Sequence, residues 1–319
     1  MPTIYEVARL AGVSPATVSR VFNGITVNPD NVIRVRQAAE ELQFIPNRTA
    51  RRLRRQTSEV ICLIIPDIEN PFFTALARGV EDCAHEGGFS AVFCDSDDQP
   101  DKEQTYLKIA YAEQMAGVVL VPTSDQPDLN RLLKQGTPVV AADRSAGNPL
   151  VDTVVLDNFK IALMATESLY FRGFRRVGCI TGPRETETAQ LRAAGWRQAF
   201  AQYHPKADPD RFLRHADYRV AGGREAMESL LESSNPPDAV VVANNSMTVG
   251  ALEAMQDHAI SPNELGLACL GDLPYSMLQR SGVQTYPLPA RALGHAAAEL
   301  LLQRIAGDTG PPRRLVVRD

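Results

Sequence analysis

The chain has 319 residues, a formal net charge of −5, 44% hydrophobic residues and 6% aromatics, enough to bury one small module and a larger domain of two lobes. No apolar run approaches the ~20 residues needed to span a bilayer, and no charged-then-apolar leader precedes the first elements, so secretion and membrane insertion are not expected and the cytoplasm is the expected compartment. Cys62, Cys83, Cys94, Cys179 and Cys269 lie apart, mostly inside apolar runs, and the five histidines are scattered; reduced thiols, no metal site and no cofactor are expected.

Residues 3–23 read as two short helices hinged at Gly12. Thr3 and Glu6 have the spacing of a capping box, which starts the first helix near Ile4, and Ser14 before Pro15 supplies an N-cap and a pre-set first helical residue for the second. Val7, Ala8 and Ala11 line one side of the first helix and Val18 and Val21 one side of the second. Ala16, Thr17 and Arg20 are left together on the opposite face, which suits a DNA major groove. Asn28-Pro29 opens a third helix with apolar positions Val32, Val35, Ala39 and Leu42, and Pro46 is expected to stop it.

An arginine-dense stretch follows, Asn47-Arg48-Thr49-Ala50-Arg51-Arg52-Leu53-Arg54-Arg55. Residues 1–57 hold nine Arg and no Lys against four acidic residues, a charge of +5, so the remainder carries −10. A basic end on an acidic body is the footprint of a protein that touches phosphate with one end only.

Through Gly12-Val13-Ser14, Thr17-Val18-Ser19-Arg20-Val21 and Ile45-Pro46-Asn47, the N-terminal block resembles the headpiece of the LacI/GalR family of bacterial transcriptional regulators, and the similarity continues along the chain. The resemblance implies a helix-turn-helix headpiece over 1–46, a hinge helix and linker over 47–58, and a two-lobed periplasmic-binding-protein-like α/β sensor over 59–319. The first lobe is expected over about 59–157 plus 287–310 and the second over about 158–286 plus 311–319. It also places Leu53 as the wedge between base pairs in the minor groove. Physics supports this independently: about nine residues fall below the roughly 12 to 15 at which isolated helices become marginal, so the hinge needs DNA or a partner to order it. An apolar Leu53 among arginines suits insertion while guanidiniums neutralise phosphates.

Pro15, Ala16 and Arg20 match the family's specificity-setting positions. Arg20 is suited to pair bidentately with guanine, Pro15 and Ala16 offer apolar contact, and Thr17 and Ser19 suit phosphate. Asn47, Arg48, Ala50, Arg51, Leu53 and Arg54 complete the expected DNA-facing set. Each has a plainer explanation: Pro15 and Ala16 are ordinary helix-start residues, and the basic stretch is also readable as a solvated linker.

Beyond Arg55, apolar β-branched runs at Val60 to Ile65, Ala91 to Cys94, Val118 to Val121, Val139 to Ala142, Val177 to Ile180, Ala239 to Ala243 and Leu267 to Leu270 predict strands. They alternate with helices over Pro71 to Glu86, Lys102 to Glu113, Asn158 to Arg172 and Thr188 to Tyr203. That βαβ rhythm predicts parallel sheets covered on both faces, with ligands collecting beyond the carboxyl ends of the strands. There stand Asn70, Phe72 and Phe73; Asp143 and Arg144; Asn244; and Gly271. Aromatic faces with Asp, Asn and Arg suit a sugar, and the resemblance adds Arg192 as an effector-binding arginine. Core packing of a phenylalanine, capping by Asp143 or Asn244, and pairing of Arg192 with Glu187 are the competing readings.

Where many family members carry acidic residues, this chain has Gly271 and Asn245, which with Arg144 and Arg192 makes a sugar acid or sugar phosphate a candidate beside a plain sugar. Asp98-Gln99-Pro100-Asp101-Lys102-Glu103 is similar to the fructose-repressor branch, and is also an ordinary helix start. The last residues form a short strand with no leucine-heptad tail, so a homodimer reading a pseudo-palindromic operator is expected, with contacts near the helix from Pro71 and near Asp95 to Asp98. The expectation is an allosteric repressor rather than an enzyme, because no phosphate-binding loop, nucleophile elbow or metal spacing occurs. A sugar-binding module with a silent headpiece is the other alternative.

Overall fold

In the computed structural model, residues 2–22, 25–44, 58–261, 264–273 and 282–318 are described. Two compact units divide the chain at Ser58 and Glu59, and each is taken by itself.

The first unit is three helices, α1 (Ile4–Ala11), α2 (Pro15–Phe22) and α3 (Pro29–Glu41). Thr3 caps α1 through the reciprocal Thr3–Glu6 capping box, and Gly12 closes it with φ 63°, a left-handed conformation that favours glycine. The Ser14 hydroxyl accepts from the Thr17 backbone at 3.1 Å, starting α2, and Asn28 with Pro29 starts α3. Val7, Ala8, Ala11, Val18, Val35, Ala38 and Ala39 form the core, with Phe22 and Phe44 packed at its edge, 5.8 Å between centroids. The third helix stops at Glu41, ahead of the expected Pro46, because the chain turns left-handed at Gln43, φ 49°. Residues 47–57, with the expected hinge positions Asn47, Arg48, Ala50, Arg51, Leu53 and Arg54, lie outside the described residues.

The second unit holds two all-parallel sheets. The first is built from β1 (Val60–Ile65), β2 (Ser90–Asp95), β3 (Gly117–Leu120), β4 (Val139–Ala142), β5 (Asp152–Leu156) and β11 (Arg314–Val317), in the order β11-β5-β4-β3-β1-β2. The second is built from β6 (Val177–Thr181), β7 (Leu213–His215), β8 (Ala239–Val242), β9 (Gly266–Leu270) and β10 (Gln284–Tyr286), in the order β10-β9-β8-β6-β7. Their central strands are apolar throughout, as double-sided burial requires.

Helices α4 (Pro71–Glu86) and α11 (Ala290–Ile305) cover one face of the first sheet, and α5 (Pro100–Ala112) and α6 (Asn130–Gln135) the other. On the second sheet, α7 (Asn158–Phe171) and α8 (Glu187–Tyr203) pack around Trp196 and Phe200, and α9 (Val220–Leu231) and α10 (Asn245–Asp257) around Met227 and Met255. The α4 and α11 backbones meet through glycine: a Cβ on Gly79 would stand 2.0 Å from the Arg291 carbonyl oxygen, and one on Gly294 2.0 Å from that of Leu76. None of the described helices is long and apolar enough to cross a membrane.

One boundary differs from the sequence expectation. Residues 314–317 join the first sheet, Arg314 opposite Thr153 through Val317 opposite Leu156, and not the second lobe. The cause is Asp152. Its carboxylate, 2% exposed, accepts from Arg304 Nε and Nη2 of α11 (2.6 and 3.0 Å) and from the Arg313 backbone N–H (2.6 Å), while Arg304 also donates to the carbonyls of Asp308, Gly310 and Pro311. The chain leaving α11 is therefore tied back to the start of β5. The two lobes are joined by two chain crossings, between β5 and α7 and between β10 and α11.

Burial raises the Asp152 carboxyl, but the hydrogen bonds and charges of Arg304 and Arg313 outweigh it and hold the group below its ordinary value. A depressed folded-state value stabilises above the unfolded carboxylate pKa of about 3.9 and is lost as pH falls through the folded value. Asp152→Ala is expected to cost about 3 kcal/mol at neutral pH, by leaving guanidiniums uncompensated, and to lessen the loss of stability in acid. Chemical denaturation of both proteins between pH 7 and pH 3 checks this.

Candidate functional site

On the first unit, α2 turns Val18 into the core and leaves Pro15, Ala16 and Arg20 exposed, with Thr17 and Ser19 half-buried. The Thr17 hydroxyl lies 2.9 Å from that of Ser14, so it supports the helix start in this state. The outward face is apolar at its beginning, at Pro15 and Ala16, and cationic in its last turn, at Arg20.

On the second unit, the carboxyl ends of both sheets border one cavity of about 450 Å³. Asn70, Phe72, Phe73, Asp143, Arg144, Arg192, Asn244 and Gly271 all line it. Asn70 and Asn244 also do the capping work of the competing reading: Asn70 accepts from the Phe72 N–H at 3.0 Å, and Asn244 accepts from Met247 N–H at 2.8 Å and donates to the Tyr218 carbonyl at 2.8 Å. Phe73 is a core residue of the first lobe, 6% exposed, and holds the half-buried Phe72 edge-on at 5.2 Å. Phe72 is thus the aromatic wall.

The polar floor is made of charged groups taken out of water. Asp143, with φ 65°, is 4% exposed, and its Oδ1 has no hydrogen-bond partner among the described residues. Burial pushes its carboxyl above the ordinary value, against the pull of Arg144 and Arg192. Arg144 sits 3.6 Å from the Asp143 carboxylate and donates to Asp98 (3.3 Å) and the Pro122 carbonyl (3.2 Å). Arg192 donates to the Asn158 side chain at 2.8 Å and to the Ala243 carbonyl, both neutral acceptors. It does not pair with Glu187, whose carboxylate accepts instead from the Ser145 backbone at 2.6 Å and Arg314 at 3.2 Å.

Thr188, Asp217, Tyr218, Arg219 and Arg291 also line the cavity and were not singled out from the sequence. Tyr218 is held with φ 66°, its hydroxyl 2.9 Å from that of Thr188 and its ring against Gly182, where a Cβ would stand 2.1 Å from a ring carbon. Asp217, Tyr218 and Arg219 follow β7, a three-residue edge strand without an apolar run. The usable signal was Gly182 and a tyrosine after His215, too sparse to mark a strand end. Among the described residues no cluster of His, Cys, Asp and Glu is placed to hold a metal.

The chain matches two family models in series: bacterial regulatory proteins of the lacI family over residues 3–47, and periplasmic binding proteins and sugar-binding domain of the LacI family over residues 58–318. It is 30% identical over 312 residues to the HTH-type transcriptional repressor CytR of Escherichia coli (strain K12), covering 96% of this chain and 90% of that one. It is also 30% identical to catabolite control protein A of Priestia megaterium, covering 96% and 93%. Among solved structures, a complex of the transcriptional regulator CelR with cellobiose is similar over 99% of this chain and 97% of that one, at 27% identity and a TM-score of 0.72. The lac repressor dimer bound to operator and an anti-inducer shares the fold, with a TM-score of 0.87 at 24% identity over 99% and 96% of the two chains. With a three-helix headpiece and a two-lobed parallel-sheet domain both matched in order, the chain belongs to the LacI family: it is a DNA-binding transcriptional regulator with an effector-binding domain.

Proposed function

We propose that the protein is a repressor that binds a pseudo-palindromic operator as a homodimer in the cytoplasm, and that an uncharged, hydroxyl-rich ring compound of the sugar class, held between the lobes, sets its DNA affinity. The observation that carries this reading is the cavity at the lobe junction, with Phe72 as a wall and the buried Asp143, Arg144 and Arg192 at its floor. A carboxylate oxygen buried without a donor favours a ligand that brings hydroxyls, and an aromatic wall favours an apolar ring face. The CelR structure, solved with cellobiose, and the lac repressor, solved on its operator, support the two halves of the proposal.

Charge decides between a plain sugar and the sugar acid or phosphate. Asp67, Asp98, Asp143, Asp217 and Asp272 line the cavity against Arg144, Arg192, Arg219 and Arg291. Arg144 faces Asp98 and Asp143, Arg219 pairs with Asp97, and Arg291 pairs with Asp82. Of the lining arginines, Arg192 is the one whose hydrogen bonds all go to neutral acceptors. A phosphate would meet more carboxylate than uncommitted guanidinium, so the neutral ligand is favoured. Regulation rather than catalysis fits the family to which both halves of the chain are matched.

Two outcomes are expected. In a thermal-shift series, neutral sugars are expected to raise the melting temperature, by an amount equivalent to about 2.7 kcal/mol at a hundredfold excess over Kd. Asp143→Asn is expected to remove most of that shift, and a response confined to sugar phosphates would refute the ligand assignment. For DNA, Arg20→Ala is expected to weaken binding of the protein's own upstream region by roughly 1–3 kcal/mol and to relax the preference at one base pair of each half-site. A gel-shift series over substituted sites reads both effects.

A further inference from the structure

Between β2 and α5, Asp97 and Asp98 are both left-handed, with φ 51° and 52°, a conformation uncommon outside glycine and tolerated best by Asn and Asp. The turn is fixed to the end of β1: the Ser96 N–H and hydroxyl donate to the Ile65 carbonyl, at 2.8 and 3.1 Å, and the Asp98 N–H donates to the Pro66 carbonyl at 2.8 Å. Gln99 donates to Asp97 Oδ2 at 3.0 Å. Two successive carboxylates are thereby aimed at two different arginines.

Asp98 meets Arg144 of its own lobe at 3.3 Å, while Asp97 meets Arg219 of the other lobe at 2.5 Å, and both arginines line the cavity. Arg219 is itself placed by the backbone, its N–H donating to the Asp217 carboxylate at 2.9 Å directly ahead of α9. The hydrogen bond and charge of Arg219 hold the Asp97 carboxyl below the usual carboxylate range, so the pair keeps its full charge at neutral pH.

We propose that Asp97 and Arg219 form a clasp across the cleft that favours the closed arrangement of the two lobes, and that the Asp98–Arg144 pair anchors the first-lobe side of this clasp at the cavity. The ion pair joins the two lobes directly, so it adds to closure whether or not a ligand is bound. Its side chains are about half exposed, 52% and 44%, which limits its effect on the closed-to-open ratio to about two- to fivefold. Arg219 and Asp97 are positioning residues: they act through the lobe angle, on which the effector reading of the cavity depends for its regulatory consequence. Glu187 supplies a separate tie between the lobes, through Ser145 and Arg314.

The clasp is tested on the full chain by pulsed electron–electron resonance, with nitroxides on cysteines introduced at the exposed Lys108 of α5 and Glu225 of α9 in a Cys94→Ser background. These helices directly follow the two halves of the clasp. Asp97→Asn and Arg219→Gln are each expected to move about two- to fivefold of the weight from short to longer distances, and 1 M NaCl, where the Debye length is about 3 Å, is expected to do the same to the parent. Arg219→Lys, which keeps the cation and leaves the left-handed turn at Asp97 untouched, is expected to retain the short distances better than Arg219→Gln. Asp97→Asn and Arg219→Gln with the parent's distribution, or an Arg219→Lys variant as open as Arg219→Gln, would overturn the clasp. The readout needs neither ligand nor DNA, so its failure leaves the reading of the cavity standing, and failure of that reading leaves the clasp standing.

Discussion

Charge held out of water at the junction of two lobes is the constraint on which the rest of this molecule turns. Asp143, Arg144 and Arg192 are each no more than 6% exposed, and burying such groups is costly unless partners compensate them. The partners come from both lobes' strand ends: Asp98 and the Pro122 carbonyl for Arg144, Asn158 and the Ala243 carbonyl for Arg192. Asp143 is left short, with one oxygen lacking a donor among the described residues. A binding site placed there draws on polarity that the fold has already desolvated, and a ligand hydroxyl contributes more than it would at a wet surface.

The fold is what makes this placement possible. Parallel sheets send all their strand ends, and the N-termini of the helices that follow, to the same border. Asn70 and Asn244 show how close capping and binding lie: each spends its side-chain oxygen on a helix start and still lines the cavity. Opposite this border, the Asp152 cluster ties α11 and β11 to β5. Among the described elements two chain crossings carry the backbone between the lobes, which suits hinge motion in which few residues absorb the change.

Much of this was legible in the residues because the signals were redundant. The capping box at Thr3, the Ser14-Pro15 start and the apolar spacing of α1 and α2 all agree with one another, and the runs at Val60, Val118, Val139 and Ala239 are too apolar for anything but a buried strand. Seven of the eight cavity positions followed from strand ends, and Arg192, inside α8, from the family resemblance. What escaped was polar or short. β5 opens on an aspartate whose burial makes sense only with Arg304, 152 positions away; β7 and β10 are three-residue edges without apolar runs. Missing β7 hid Tyr218 and Arg219, and the lobe of β11 depended on Asp152 rather than on any local pattern. The pairing of Arg144 was hidden for a related reason, since Arg144 reads as free until Asp98 and Asp143 are seen beside it.

Occupancy of the cavity and grip on DNA are held here to be two faces of one equilibrium. Linkage requires that the factor by which a ligand changes operator affinity equal the factor by which operator changes ligand affinity, typically about five- to 150-fold in allosteric proteins. The most direct measurement titrates the sugar identified by thermal shift against the protein free and saturated with operator, alongside operator titrations with and without that sugar. The account predicts two matching factors that differ clearly from one; a sugar that binds with Asp143-dependent affinity yet leaves both titrations unchanged would contradict it.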